Sequence, residues 1–268
     1  MPTLAHPLNR HVSELKRRLI IIGATVLVAF MIAFSYSPVL IDWFKRPFED
    51  TLIFYSPAEA LFASIKISFL AGIVASFPVI LYQFWKFIEP ALLKKEQGWA
   101  IPLFCLGLAC FVLGLVFCNL IILPLVIDFF VSFGMDRSIS PELAVGTYVD
   151  FNVKFLLAFG FAFEIPLVVS LLARAGFVAP AMLIQYRKHA AMIALILSAI
   201  ITPDATLFTM LLMAVPLIVL YEIGIIGAKV FWQPRPAANA SEEASDAEEV
   251  VPSLSSATDV PPNDGRDV

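Results

Sequence analysis

Long apolar stretches constrain this chain more than any other feature of its sequence. Residues 155–173 read FLLAFGFAFEIPLVVSLLA, nineteen residues with a single charge, Glu164. About 20 apolar residues suffice to cross a hydrocarbon core about 30 Å thick, and several other stretches approach that length. The chain is 60% hydrophobic and 15% charged, whereas soluble domains are nearer half apolar and a quarter charged. The sequence therefore predicts an all-α polytopic membrane protein, because helices satisfy their backbone hydrogen bonds within lipid.

The hydropathy pattern predicts six transmembrane helices, at about residues 19–36, 67–85, 99–127, 155–173, 189–202 and 206–228. An even number of spans places both termini on one side. With the N-terminus inside, thirteen Lys and Arg residues fall in cytoplasmic segments and five outside, so the positive-inside rule predicts cytoplasmic termini. Residues 1–18 are then an amphipathic cytoplasmic segment, residues 19–232 the membrane domain, and residues 233–268 a disordered acidic cytoplasmic tail, too poor in apolar residues to fold.

The last predicted hairpin is short. Between Lys188 and Pro203 there are about a dozen strongly apolar residues, roughly 18 Å of helix. Such a hairpin must thin the bilayer or leave its outer turn, TPDA, below the surface. Residues 38–62 mix Trp, Phe and Tyr with charges, which predicts a structured outer cap with its aromatic residues at headgroup depth.

Motifs for catalysis are missing from the sequence. It contains no His-Glu-x-x-His, no Gly-x-Ser-x-Gly and no phosphate-binding Gly-rich loop. Its three histidines lie at or beyond span ends, and its three cysteines form no Cys-x-x-Cys pair. We therefore expect no enzymatic activity, no cofactor and no metal site.

Glu164 is the most unusual charge in the chain. A carboxylate at the centre of a transmembrane helix costs at least about 2.5 kcal/mol on insertion scales, so it should face a cavity or a partner. Pro166 cannot donate to the carbonyl near Ala162, which predicts a bend beside it. A protonated Glu164 making a helix–helix hydrogen bond is the structural alternative. The functional alternative is a secondary transporter or channel with Glu164 as its proton or cation site, although the paired repeats of such transporters are not evident.

Further charges lie near the inner ends of the first two spans. In LNRHVSELKRRL, apolar residues recur at helical spacing, and Glu14 precedes Arg17 and Arg18 by three and four residues. Glu14 therefore forms either an intrahelical ion pair or part of a binding site. The first inner loop, YQFWKFIEPALLKKEQGW, carries Glu96, which taken alone is best explained as a solvated loop charge.

Six motifs in one order give the chain a family resemblance. They read HVSELKRRL, FPVILYQFWKFIEPALLKKE, FGFAFEIPLVVSLLARAG, YRKHA, ITPD and VPLIVLYEIGI, and together cover about residues 8–230. The chain resembles the TatC family, the polytopic subunits of the twin-arginine protein translocase. The resemblance implies a receptor in the bacterial cytoplasmic membrane that helps to export folded proteins with the proton-motive force. It also implies a concave groove within the membrane domain.

The resemblance also implies partners and site residues. The expected partners are twin-arginine signal peptides, single-span subunits of the TatA and TatB type, further copies of the chain and the lipid bilayer, but not nucleic acid. The residues implied to bind signal peptide are Glu14, Glu96, Phe87, Gln83 and Arg17. Those implied in partner docking are Glu164, Thr202 and Asp204, with Pro47 important in the outer cap. Bidentate pairing of guanidinium with carboxylate supports two acids for two arginines.

Overall fold

The computed structural model describes residues 5–45, 53, 55–88, 100–135, 144–174, 176–202 and 206–232; for residues 5–12, 45, 87–88, 100 and 133–135 it describes the backbone alone. The described residues are helical almost throughout, which confirms the predicted all-α fold. In chain order the helices are α1 (Ala5–Ser35), α2 (Ser37–Lys45), α3 (Pro57–Ile88), α4 (Ala100–Phe117), a π-helical turn (Cys118–Ile122), α5 (Leu123–Met135), α6 (Val145–Ala162), α7 (Ile165–Arg174), α8 (Pro180–Gln185), α9 (Arg187–Ile201) and α10 (Leu207–Phe231).

Five helical stretches of the described residues are long and apolar enough to cross a membrane. They are Ser13–Ser35, Pro57–Lys86, Ile101–Ser132, Val145–Arg174 and Leu207–Phe231. Each contains most or all of one predicted span and several extend beyond it, because hydropathy marks only the lipid-embedded part of a helix. The remaining predicted span, 189–202, coincides with α9, whose 15 residues give about 22 Å of helix. The chain is therefore a multi-pass membrane protein with one notably short hydrophobic helix.

The N-terminal segment and the first span form one continuous helix. α1 runs for 31 residues, and Pro7 stands in its first turn, where a missing N–H is tolerated. From residue 13 to residue 35, Arg18 is the one buried residue. The apolar side chains of this helix are therefore available to lipid.

Helix α6 lies at the centre of the membrane domain. Eleven of its eighteen residues are buried, including Phe155 and Phe159, which are fully enclosed. Apolar residues of α3, the π-helical turn, α5, α9 and α10 pack into the same core. Because α6 leads directly into the turn that carries Glu164, this packing fixes the position of that carboxyl group.

Glycine permits two close helix contacts. A Cβ at Gly72 of α3 would lie 2.9 Å from the backbone nitrogen of Phe30, and one at Gly114 of α4 would lie 2.6 Å from the carbonyl oxygen of Phe159. Small residues allow helix backbones to approach closely in a membrane, where packing drives association. α1 is thereby held against α3, and α4 against α6.

Glu59 joins the beginnings of α3 and α6. Its Oε1 accepts a hydrogen bond from the backbone N–H of Gly146 at 2.7 Å, and its Oε2 accepts one from the N–H of Tyr55 at 2.9 Å. Helix N-termini leave backbone N–H groups without intrahelical acceptors and favour negative charge. A carboxylate from one helix therefore satisfies the first turn of another.

Short helix α2 belongs to the segment predicted as an outer cap. Its Phe44 carbonyl accepts a hydrogen bond from the Tyr148 hydroxyl of α6 at 3.2 Å. The rest of that segment is described at Ile53 and from Tyr55 onward. Pro47 and the predicted tail, residues 233–268, lie outside the described residues.

Candidate functional site

One pocket lies between the N-terminal part of α1 and the C-terminal part of α3. Its volume is about 190 Å³, and it is lined by Glu14, Arg17, Arg18, Ile21, Tyr82, Gln83 and Lys86. The α1 residues recur at helical spacing, so they share one face of that helix. The structure thus brings together Glu14, Arg17 and Gln83, three of the five residues predicted to bind signal peptide. We call this the inner-face pocket.

The charges of the inner-face pocket are unbalanced. The Glu14 carboxylate accepts a hydrogen bond from Arg18 Nη2 at 2.5 Å, one helical turn away. The Glu14 side chain remains 51% exposed, whereas that of Arg18 is 10% exposed. Arg17 and Lys86 add two exposed cations, so the described pocket carries three positive charges and one negative. The intrahelical pair foreseen for Glu14 is present, and it is made with Arg18.

Of the two remaining residues predicted to bind signal peptide, Phe87 is described by its backbone alone. Residue 30 lies beside residue 72, and Ser76 Oγ donates to the Thr25 carbonyl at 3.3 Å. This antiparallel register of α1 and α3 places the backbone of Phe87 level with Glu14, at the edge of the pocket. Glu96 lies outside the described residues.

Glu164 occupies a break between two helices. α6 ends at Ala162, Phe163 and Glu164 form a turn, and α7 begins at Ile165. Pro166 then stands in the first turn of α7, where it replaces no helical hydrogen bond. A bend was predicted beside Pro166, and at this place the structure shows a two-residue break in the helix. It presents the Glu164 side chain at the junction of α6 and α7.

The Glu164 carboxyl group faces an apolar cavity. The residue is 8% exposed, and its Oε1 is buried without a hydrogen-bond partner among the described residues. The cavity has a volume of about 270 Å³ and is lined by Phe77, Ile80, Leu81, Phe84, Trp85, Leu103, Phe104, Phe161, Glu164, Leu167, Val168 and Leu171. We call it the Glu164 cavity. Among the described residues, Oε1 takes no part in the helix–helix hydrogen bond considered as an alternative for Glu164.

A second apolar cavity lies nearer the N-terminal end of α3. It has a volume of about 360 Å³ and extends beneath α2, with Asn119 of the π-helical turn on its wall.

A small aromatic cluster stands between the two cavities. Phe77 and Phe111 stack with ring centroids 3.5 Å apart, and Phe161 meets both rings edge-on. Val74, which lines the second cavity, packs against this cluster.

Thr202, predicted at the turn of the last hairpin, lies away from the Glu164 cavity. Thr202 directly follows α9 and is buried, and its hydroxyl donates to the Ser198 carbonyl at 2.8 Å. It is not among the residues that line the Glu164 cavity. Asp204 lies outside the described residues. The structure therefore does not unite Glu164 and Thr202 in a single site.

Sequence reasoning missed two residues that the structure places at these sites. Lys86 lines the inner-face pocket, and Trp85 lines the Glu164 cavity with its indole Nε1 buried and unpartnered within the described residues. Both lie in the quoted motif LYQFWKF. For Lys86 the sequence offered a signal, because its helical spacing from Tyr82 and Gln83 puts the three residues on one face of the helix. No signal in the sequence distinguishes Trp85 from an ordinary interfacial tryptophan.

Comparisons with known proteins show the family to which the chain belongs. A sequence model of the family described as Sec-independent protein translocase protein (TatC) matches residues 10–216. The Sec-independent protein translocase protein TatC of Aquifex aeolicus (strain VF5) is 42% identical over 230 residues, covering 84% of this chain and 95% of the relative. That of Helicobacter pylori (strain J99) is 36% identical over 242 residues, covering 90% and 96%.

A solved structure is similar as well. The crystal structure described as the twin arginine translocase receptor TatC superposes with a TM-score of 0.76 at 41% identity, covering 82% of this chain and 99% of that one. These relatives are described as protein translocases, so the solute-transporter alternative is not favoured. The matched region contains both the inner-face pocket and the Glu164 cavity. This chain belongs to the TatC family of Sec-independent protein translocase proteins.

Proposed function

We propose that this chain is the receptor and core subunit of a twin-arginine translocase in a bacterial cytoplasmic membrane. It binds twin-arginine signal peptides at the inner-face pocket, with both termini in the cytoplasm. It then recruits single-span subunits so that folded proteins cross the membrane at the expense of the proton-motive force. The observation that carries this proposal is the meeting of Glu14, Arg17 and Gln83 across α1 and α3, in a chain of this family.

Glu14 is the acceptor that the described pocket offers to an incoming guanidinium. A carboxylate has about four lone-pair sites, so the one contact from Arg18 leaves capacity for a second donor. The Glu14 side chain is half exposed, and Gln83 lines the same pocket with an amide. A peptide arginine can therefore bind Glu14 without first expelling Arg18.

Electrostatics argue for a second acid. The described pocket has a net charge of +2, and a twin-arginine motif would add two more positive charges. Like charges within a few ångströms repel even near a protein surface. We propose that Glu96 supplies the missing negative charge and that Phe87, level with Glu14, supplies an apolar contact.

Docking of single-span partners forms the second part of the proposal. The polar side chain of an otherwise apolar helix would enter the Glu164 cavity, since a buried carboxyl group needs a partner. Thr202 and Asp204 mark a separate contact at the turn of the last hairpin, and Pro47 shapes the outer cap. Further copies of the chain complete the translocase.

Peptide binding tests the receptor proposal. A fluorescent twin-arginine signal peptide is titrated against the protein in nanodiscs and compared with its lysine–lysine version. Glu14→Gln and Glu96→Gln should each weaken binding of the arginine peptide by about tenfold or more, because a charge-assisted hydrogen bond contributes about 1.5–3 kcal/mol. Asp42→Asn, an exposed acid on α2, is the matched control and should change nothing. Equal weak binding of both peptides to folded protein would refute the proposal for the isolated subunit.

A further inference from the structure

Three charged side chains form a cluster between α3 and α6, outside the inner-face pocket and the Glu164 cavity. Lys66 Nζ of α3 lies 2.7 Å from Asp150 Oδ1 of α6. Lys154 Nζ, one turn further along α6, lies 2.6 Å from Asp150 Oδ2. The side chains of Lys66 and Lys154 remain 42% and 47% exposed. We call Lys66, Asp150 and Lys154 the lysine cluster.

The lysine cluster carries one positive charge in excess. Each carboxylate oxygen of Asp150 already contacts one ammonium group, and neither lysine has another acidic partner among the described residues. An ammonium group has three N–H donors, so both lysines keep donors for a further acceptor. The cluster therefore offers a net charge of +1 and free donors from two helices to an anionic group.

The position of Lys66 along α3 matches a boundary of the membrane. Lys66 precedes Lys86 of the inner-face pocket by 20 residues on the same helix, or about 30 Å. This distance is about the thickness of the hydrocarbon core. Because charged side chains are costly inside that core, the two lysines lie at its opposite boundaries. The lysine cluster is therefore level with the phospholipid headgroups of the leaflet opposite the inner-face pocket.

Apolar side chains continue from the cluster toward the middle of the membrane. On α6, the exposed Phe161 follows Lys154 by seven residues, which places it on nearly the same face and about 10 Å away. On α3, the exposed Phe69 follows Lys66 by one turn. An acyl chain crosses half of the hydrocarbon core, about 15 Å. A lipid whose headgroup sits at the cluster can therefore cover both rings with its chains.

We propose that the lysine cluster binds the phosphate group of an anionic phospholipid in the leaflet opposite the inner-face pocket. The phosphate oxygens accept hydrogen bonds from Lys66 and Lys154, and the acyl chains pack along Phe69 and Phe161. An anionic lipid brings the one negative charge that balances the cluster, whereas a zwitterionic lipid also brings a cation that both lysines repel. This inference goes beyond the proposed function and does not depend on it.

The surroundings favour a lipid over a dissolved phosphate ion. Exposed charges are screened by water and salt, so a net charge of +1 holds a dissolved ion only weakly. Lipid phosphates, by contrast, are already concentrated at this depth. Their chains also gain contact with the exposed rings of Phe69 and Phe161, which a free ion cannot use.

Photo-cross-linking of the full chain in nanodiscs tests the inference. The discs contain phosphatidylcholine and phosphatidylglycerol in equal amounts, and one of the two lipids carries a diazirine in its acyl chain. Mass spectrometry of peptic fragments then measures cross-links to the α6 segment around Phe161. Phosphatidylglycerol should label this segment about fivefold more than phosphatidylcholine, as expected for one excess charge at a membrane surface.

Substitutions in the cluster should change this preference in opposite directions. Lys66→Gln brings the net charge to zero, so the preference for phosphatidylglycerol should disappear. The measured α6 segment keeps its sequence, because Lys66 lies on α3. Asp150→Asn brings the net charge to +2, so the preference should rise by about 2- to 5-fold. Lys229→Gln, at an exposed lysine in the last turn of α10, is the matched control and should change nothing.

The opposite signs separate lipid binding from a purely structural ion pair. Lys66→Gln and Asp150→Asn both break the contact between α3 and α6, so a structural role would move lipid labelling in the same direction in both variants. That result, or equal labelling by both lipids in the parent chain, would overturn the inference. Inorganic phosphate, compared with chloride at equal ionic strength, should not reduce the labelling. A reduction would show that the cluster holds a dissolved phosphate ion, and would overturn the assignment to a lipid.

Discussion

At the scale of single residues, the inner-face pocket is governed by an excess of positive charge. Lys86 is exposed, and its Nζ lies 5.9 Å from the centre of the Tyr82 ring, one helical turn earlier. It forms no ion pair within the described residues. An incoming arginine therefore meets the full charge of Lys86, reduced only by water and salt.

Lys86→Gln should strengthen binding of a twin-arginine peptide. Removing one exposed like charge is expected to lower the dissociation constant by about 2- to 5-fold, in line with the 0.2–1 kcal/mol measured for exposed pairs. The gain should shrink as salt is added. Titration of the labelled peptide at low and high ionic strength measures both effects.

Lys229→Gln serves as the matched control for Lys86→Gln. Lys229 is an exposed lysine in the last turn of α10 and does not line the pocket. Its substitution should leave peptide affinity unchanged. Weaker binding after Lys86→Gln would mean that Lys86 helps to hold the peptide, and the electrostatic account of the pocket would be wrong.

The sequence predicts which residues surround this pocket better than how they pair. Helical spacing allows Glu14 to meet Arg17 or Arg18 equally well. The structure shows the pair with Arg18, whose side chain is buried, whereas Arg17 is exposed. The sequence could not predict that the indole N–H of Trp85 lacks a hydrogen-bond partner among the described residues. Whether a buried atom finds a partner depends on three-dimensional packing.

At the scale of helices, polar contacts at the ends hold α3 and α6 together. The Glu59 carboxylate bridges the backbone N–H groups of Tyr55 and Gly146. Nothing in the sequence links positions 59 and 146, since they are far apart along the chain. By contrast, the helix break at Phe163 and Glu164 was predictable, because Pro166 acts locally.

Glu59→Ala should destabilise the membrane domain by about 1–3 kcal/mol, the cost of leaving hydrogen-bonded groups without their charged acceptor. Glu59→Gln keeps one acceptor oxygen, so it should lose less. Reversible unfolding in mixed detergent micelles, followed by helical circular dichroism, measures the difference. Equal stability of the alanine variant and the parent chain would show that water replaces the carboxylate without cost.

Gly114 sets the distance between α4 and α6. Its added Cβ would lie 2.6 Å from a backbone oxygen, which cannot move without moving α6. Gly114→Ala should therefore cost about 1–3 kcal/mol through overpacking. The same unfolding measurement applies.

Gly23→Ala is the matched control for Gly114→Ala. Gly23 lies within α1, and an added Cβ there meets nothing within 4 Å. Replacement should leave stability unchanged or raise it by up to about 1 kcal/mol, because alanine favours the helix. If both glycine substitutions had the same effect, helix propensity rather than close packing would explain them.

At the scale of the whole molecule, helices of unequal length share one bilayer. α10 has 25 residues and α9 has 15, or about 37 Å and 22 Å of helix. The short hairpin was predictable from the spacing of Lys188 and Pro203. The contacts around this hairpin could not be predicted, since they join distant parts of the chain. Arg187 pairs with Glu222 at 2.9 Å, and the Tyr221 hydroxyl donates to the Leu183 carbonyl at 3.0 Å. These contacts tie α8 and α9 to α10, so α9 cannot adapt freely to a thicker bilayer.

Bilayer thickness should therefore control stability. A helix shorter than the hydrocarbon core forces the bilayer to thin, at a cost of a fraction of a kcal/mol per ångström. The midpoint temperature of thermal unfolding should fall as the acyl chains of the surrounding phosphatidylcholine lengthen. We call the bilayer thickness that gives the highest midpoint the optimum. Inserting about seven apolar residues into α9, two helical turns that preserve its faces, should shift the optimum to thicker bilayers. The same insertion after Asp246, beyond the membrane domain, should leave the optimum unchanged. If the lengthened α9 kept the parent optimum, neighbouring protein rather than deformed lipid would be covering the end of this hairpin.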